Sequence, residues 1–324
     1  YGVGVDIGCR MCLSIFALPA TELATRQKEF RKLLLEHTKF GMGMEFSIRT
    51  EHAVLDNPAF NQSSFLKNLQ QKAARQLGTS GSGNHFVEFG SIEITEYDPV
   101  LGVAPGKYLG LLSHSGSRGL GANIAQHYTK IAMDCCRLPQ EAKHLAWLDL
   151  SSDQGASYWL AMNLAGDYAS ACHDTIHHKI AKALGENPLR RVENHHNFAW
   201  KEIIDGREMI VHRKGATPAQ QDELGIIPGS MTAPGFIVKG KGEVASLNSA
   251  SHGAGRCLSR TQAQNSTTQH ALKALLKKHD VLLLGGGLDE APHAYKDIEM
   301  VMNAQKKLVD TLGVFYPKIV RMDG

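Results

Sequence analysis

The chain has 324 residues, 43% of them hydrophobic and 21% charged, which is enough apolar material for a sizeable core and rules out an intrinsically disordered polymer. Thirty-five basic residues against 32 acidic ones leave a net charge of +3, so any nucleic acid must be held by a local patch and not by the whole surface. No run of about 18 apolar residues occurs, which excludes a membrane-spanning helix and a membrane partner.

Taken in chain order, apolar spacing predicts three long helices, over residues 58–77, 120–136 and 155–184. Asn57 caps the first, with Pro58 at its first position and Phe65, Leu69, Ala73 and Leu77 on one face. Leu120, Ile124, Tyr128, Ile131 and Cys135 line the second, and the third stops at Gly185. Short apolar runs at 108–112, 209–211 and 281–284 read as buried strands, with 85–89 a weaker one. No repeat or linker divides the chain, so the expected fold is mixed α/β (α+β), a single domain over 1–324 with helices flanking central sheets. The six scattered cysteines fit reduced thiols in a cytoplasmic protein better than a disulfide scaffold. The chain opens at Tyr1 without an initiator Met, so a preceding segment is expected to be missing.

Sixteen histidines set the direction of the chemistry, because several fall in Gly-rich turns. In Asp6-Ile7-Gly8-Cys9 a carboxylate and a thiolate three residues apart can converge on one metal ion. Gly81-Ser82-Gly83-Asn84-His85, with Glu88 beyond it, sets polar groups beside a backbone that a ligand can approach closely. His114-Ser115-Gly116-Ser117-Arg118 runs from a strand into a helix, where free N–H groups, the helix dipole and Arg118 favour an anion. The remaining two turns are His195-His196-Asn197 and His252-Gly253-Ala254-Gly255-Arg256. Singly, each has a plainer reading as an ordinary turn, a surface histidine or a small buried thiol. The pair His173/His177, at i and i+4, has metal-ligand spacing but no supporting Glu motif. Together, one thiolate, several imidazoles and a carboxylate suit Mn²⁺, Zn²⁺ or Fe²⁺ over Mg²⁺ or Ca²⁺. No Walker A sequence and no G-x-G-x-x-G opening a helix is present. The residues alone lead to a metal-dependent phosphoryl or nucleotidyl enzyme.

These turns, in this order, resemble the RtcB family of RNA ligases. The matching motifs are Asp-Ile-Gly-Cys at 6–9, Gly-x-Gly-Asn-His-Phe at 81–86, His-Ser-Gly-Ser-Arg-Gly at 114–119, His-Asn at 196–197 and His-Arg-Lys-Gly-Ala-Thr at 212–217. Pro-Gly-Ser-Met at 228–231, His-Gly-Ala-Gly-Arg at 252–256 and Glu-Ala-Pro-x-Ala-Tyr-Lys-Asp at 290–297 complete the set. The resemblance implies GTP- and Mn²⁺-dependent joining of RNA 2′,3′-cyclic phosphate or 3′-phosphate ends to 5′-hydroxyl ends, through a histidine–GMP intermediate, in RNA repair or tRNA splicing. It implies His252 as nucleophile and Asp6, Cys9, His85, His114 and His196 as ligands of two Mn²⁺ ions that share Cys9. Asn84, Glu88, Asn197, Ser230, Met231, Ala254, Gly255, Tyr295 and Asp323 would meet the nucleotide, and Arg118, Lys214 and Arg256 the RNA or its phosphates. An archease-type activator is a further implied partner.

Two positions depart from the family pattern. Arg10 stands where a small residue follows the first cysteine, and could bind phosphate or crowd the cleft. Asp323 stands where the family ends in Lys-Gly, and could accept hydrogen bonds from the N1–H and N2 amino group of guanine. The alternatives kept open are a metal-dependent cyclic-phosphate phosphoesterase and a non-catalytic RNA-end binding protein.

Overall fold

The computed structural model describes residues 3–324. Its strands are β1 (Arg10–Pro19), β2 (Phe86–Ile94), β3 (Gly106–Ser115), β4 (Pro188–His195), β5 (Asn197–Ile204), β6 (Arg207–Lys214), β7 (Ala216–Pro218), β8 (Leu224–Ile227), β9 (Gly235–Gly240), β10 (Ser249–Ser251), β11 (Leu282–Leu284) and β12 (Val309–Met322). The helices are α1 (Glu22–Thr25), α2 (Gln27–His37), α3 (Ser64–Gln76), α4 (Arg118–Cys135), α5 (Asp153–Leu184), α6 (Arg260–Asn265), α7 (Gln269–Lys278) and α8 (Ile298–Ala304). This is the expected mixed α/β body. All six cysteines are free, and no helix among the described residues is long and apolar enough to cross a membrane.

The main sheet runs β4-β1-β3-β2-β12-β9-β8 and is antiparallel along that path, with β11 joining β12 in parallel. Residues alternate across it, as the two-residue period of a strand requires. Met11, Leu13 and Ile15 of β1 point inward with Ile92, Leu112, Val192, Ile226, Ile237 and Phe315. Phe16, Val87, Phe89, Leu109 and Leu111 point outward, against Phe30 of α2 and Ile176 and Ile180 of α5.

The sheet curls so far that its two edges, β4 and β8, face each other. One side chain spans the seam. The Asn194 amide donates to the Ile226 carbonyl at 3.3 Å and accepts from the Ile226 N–H at 2.9 Å, replacing two ladder bonds. It also donates to Thr217 Oγ1 at 2.8 Å.

The helices over 120–136 and 155–184 form, the first starting two residues earlier and ending one earlier, the second starting two earlier and ending at Leu184 as expected. The first expected helix does not form as one piece. Asn57 caps only a short 3₁₀ turn, Pro58–Asn61, and the chain restarts at Ser63, whose hydroxyl accepts from Leu66 N–H at 3.2 Å and caps α3. A second start signal six residues on breaks a pattern that apolar spacing alone runs together. The strand at 85–89 is a full member of the sheet, as β2.

Asn194→Ala should lower the unfolding free energy by about 2–4 kcal/mol, since it strands a buried N–H and a buried carbonyl on β8. A urea titration checks this; a change below about 0.5 kcal/mol would show the seam to be held by apolar contact alone.

Candidate metal and nucleotide site

In an antiparallel sheet, the start of one strand lies beside the end of its neighbour. Arg10, opening β1, pairs with Ser115 at the end of β3 and with His195 at the end of β4, while Phe86, opening β2, pairs with His114. Cys9, His85, His114 and His196 therefore meet at one rim of the sheet although they are far apart in the chain. All four are buried. Cys9 Sγ lies 3.2 Å from His114 Nε2 and 3.5 Å from His85 Nε2, and His114 Nε2 lies 3.2 Å from His196 Nε2. Asp6, half-buried, reaches His85 Nε2 at 2.9 Å.

The loop carrying Asp6 and Cys9 is stapled from both sides. Asn197 Nδ2–H donates to the Asp6 carbonyl at 2.6 Å, Asn197 Oδ1 accepts from Gly4 N–H at 2.8 Å, and Gly8 N–H donates to the Asn197 carbonyl at 2.8 Å. The Asp6 carboxylate accepts from Ser117 N–H at 3.1 Å, at the start of α4, where the helix dipole favours negative charge. Burial by itself would raise the Asp6 pKa, but His85 and Arg118 outweigh it and hold the carboxyl at about 2. Burial and then Asp6 push the Cys9 thiol well above its usual range. Burial, and then neighbouring imidazoles, press His114 and His196 well below theirs. These two rings are neutral at pH 7, the state in which a nitrogen can ligate.

The donor set fits transition-metal ions. Two triads, Cys9/His114/His196 and Asp6/Cys9/His85, each converge within 4.8 Å and share the Cys9 sulfur. The His114 Nδ1–H donates to the Asn84 carbonyl at 2.9 Å, which fixes the tautomer and turns the Nε2 lone pair into the cluster. Among the described residues, the buried Nδ1 atoms of His85 and His196 have no hydrogen-bond partner.

Behind the rim, the mouth of the curled sheet opens into a cavity of about 240 Å³. Met11, Phe86, Leu112, Val320 and Met322 form its apolar wall, and Asn84, Glu88, Ser230, Met231, Ala254, Gly255 and Tyr295 also line it. Glu88 is 4% exposed, has no side-chain hydrogen-bond partner among the described residues, and is pushed well above the usual carboxylate pKa by burial. His252 bounds the cavity beside the cluster, its ring centroid 4.9 Å from that of His196. Its Nδ1–H donates to the Gly215 carbonyl at 2.8 Å, leaving the Nε2 lone pair free, and burial keeps the ring neutral.

Several expected contacts lie elsewhere. Asn197 is spent on the Asp6 loop. Asp323 is not among the residues lining the cavity: its backbone carbonyl accepts from Gly286 N–H at 2.9 Å and its carboxylate lies near Gly41. Arg256 borders the cavity, but its guanidinium is held by Glu290 at 2.9 Å and stacked on Tyr295, whose hydroxyl also donates to Glu290. Arg118 is anchored on Thr79 Oγ1 at 3.1 Å and on the Gly41 carbonyl at 3.1 Å, while Lys214 is exposed beside Gly4. Arg10 does not crowd the cleft. Its guanidinium turns to the helix side of β1, where it binds Glu193, the Gly8 carbonyl at 3.1 Å and the Gly166 carbonyl at 2.8 Å.

A family profile described as "tRNA-splicing ligase RtcB" matches residues 49–322. The chain is 33% identical over 343 residues to the RNA-splicing ligase RtcB of Escherichia coli (strain K12), covering 96% of this chain and 80% of that protein. It is 28% identical over 369 residues to the tRNA-splicing ligase RtcB of Methanococcus maripaludis, covering 93% of this chain and 76% of the relative. Over 368 residues it is 28% identical to that of Thermococcus kodakarensis, with the same two coverages, 93% and 76%.

A methyl group at Gly116 would stand 2.1 Å from Asp6 Oδ1. Gly116→Ala should therefore displace the carboxylate and weaken divalent transition-metal binding by about tenfold or more in a calorimetric titration, with little loss of fold. An unchanged affinity would remove Asp6 from the ligand set.

Proposed function

This chain belongs to the RtcB family and is an RNA ligase, and from that premise we propose that it joins an RNA 3′-phosphate or 2′,3′-cyclic phosphate end to a 5′-hydroxyl end, using GTP and Mn²⁺. The observation that carries this reading is the pairing of a nucleophile-ready imidazole with two triads of potential ligand atoms that share the Cys9 sulfur, across the mouth of one cavity. Asp6, Cys9, His85, His114 and His196 would hold the ions. When bound, these supply positive charge that neutralises phosphate oxygens and orients the reacting groups.

His252 acts as nucleophile. Its neutral Nε2 lone pair attacks the α-phosphorus of GTP; the bond from phosphorus to the bridging oxygen breaks, and pyrophosphate departs with that electron pair. The Gly215 carbonyl holds Nδ1–H throughout and stabilises the positive charge that the ring gains. An RNA 3′-phosphate oxygen next attacks the same phosphorus and releases Nε2, and the 5′-hydroxyl then displaces GMP from the activated end. A cyclic end is first opened to the 3′-phosphate by water.

The base sits in the apolar mouth. Glu88 is a buried acceptor without a donor, and guanine offers two, N1–H and the N2 amino group. Glu88 therefore takes the base-recognition role that the sequence assigned to Asp323. Adenine has a lone pair at N1 in place of the N–H, so a Glu88 carboxylate would keep only the one contact to the N6 amino group.

Incubation with α-labelled GTP and Mn²⁺ should place acid-labile label on the protein, abolished in His252→Ala. Cyclic-phosphate opening without any label would instead identify a phosphoesterase. Glu88→Gln should narrow the preference for GTP over ATP by about tenfold or more, read as relative labelling rates; an unchanged ratio would free Glu88 from the base.

A further inference from the structure

On the opposite face of the sheet, behind the strand ends that carry Cys9 and His114, lies a second convergence of ligand atoms. Cys12 of β1 and His173 and His177 of α5 each bring a donor atom within 4.8 Å of the other two. Cys12 and His173 are fully buried and His177 is 3% exposed. None of the three belongs to the site described above.

Their outer atoms are already held in the way metal ligands are held. His173 Nε2–H donates to the Ser115 carbonyl at 3.2 Å; since a carbonyl only accepts, the neutral ring keeps its lone pair on Nδ1. His177 Nδ1 meets the Ser14 hydroxyl at 2.7 Å, which can take a proton from it. The Cys12 sulfur accepts from Arg191 Nε–H at 2.9 Å. An imidazole or thiolate on a metal uses such partners to fix its tautomer and direction. Inward, His173 Nδ1 and His177 Nε2 both turn to one atom, Ser113 Oγ, at 2.6 and 2.8 Å.

We propose that Cys12, His173 and His177, with the Ser113 hydroxyl beside them, form a closed second metal site for a borderline-soft divalent cation of the zinc class. One sulfur, two imidazole nitrogens and no carboxylate select zinc over magnesium, calcium or manganese. The surrounding charge accommodates the ion. Arg191 is offset by Asp174 at 2.5 Å and Glu193 at 3.0 Å, and the thiolate cancels one of the two positive charges of the cation. Burial presses both rings below their usual range, so they are neutral, and raises the Cys12 thiol to about 12. Cation binding therefore releases one proton, from sulfur. Buried on every side, the site is structural: it ties β1 and β3 to α5 and needs neither nucleotide nor RNA.

Cobalt(II) is the probe, added to the full chain carrying Cys9→Ser so that the sulfur of the catalytic cluster is silent. The site predicts one Co²⁺ per chain with sulfur-to-cobalt charge-transfer absorption and tetrahedral visible bands. Adding Cys12→Ser should abolish the charge-transfer band, and zinc should displace the cobalt. His177→Gln, which keeps a polar group beside Ser113, should weaken cobalt binding by about tenfold or more in a protein whose circular dichroism is unchanged, guarding against a Cys12 variant that fails to fold. A Cys9→Ser protein without the charge-transfer band, or a band that survives Cys12→Ser or is unmoved by His177→Gln, overturns the proposal. The cluster would then be a hydrogen-bonded relay only. Failure of the ligase reading leaves this absorption untouched, so the two stand or fall separately.

Discussion

The site depends on one constraint, the antiparallel register of β1 between β3 and β4. Because Arg10 lies opposite both Ser115 and His195, the residue before it sits between the ends of two neighbouring strands. Cys9 can therefore touch ligands from both sides, and a single sulfur serves two triads. A slip of one residue would send Met11 and Leu13 to the helix face and Cys12 to the interior, exchanging the apolar lining of the cavity for polar groups. The core and the chemistry thus enforce the same alignment, and Asn197 secures the loop just ahead of it.

Polarity is graded from the rim inward. At the rim lie a low-pKa carboxylate, neutral imidazoles and main-chain N–H groups at the start of α4, all suited to phosphate and cations. Deeper in are Met11, Phe86, Leu112 and Val320, with the Glu88 carboxyl beside them. A molecule that is anionic at one end and flat and apolar at the other can enter in one orientation only. Arginines that might have met phosphate are instead tied to Glu193, Glu290 and backbone carbonyls. In this chain they shape the walls.

Much of the site was legible in the sequence because ligand chemistry is local: Asp-x-x-Cys, Asn-His and His-Ser-Gly keep their meaning without knowledge of the fold. The long helices α4 and α5 were legible too, since their apolar spacing persists for many turns. The strands were harder. β1 reads as Met, Cys, Leu, Ser, Ile, Phe, and because both faces are covered it shows no apolar–polar alternation. β12 contains a glycine and a proline, which break the pattern of a central strand. Cys12 is hidden in the sequence for the same reason: only with β1 as a strand does it share a face with Ser14 and look toward His173. The place of Asp323 was a question of where the last strand ends, which local pattern does not answer.

β12 is the last element of the chain, yet it lies in the middle of the main sheet, between β2 and β9, with Met322 paired to Phe86. Without this strand β2 has an open edge and the curled sheet has no centre. Detachment of β12 would therefore open the cavity wall and the middle of the sheet together, so the pocket and the core are expected to be lost in one cooperative step.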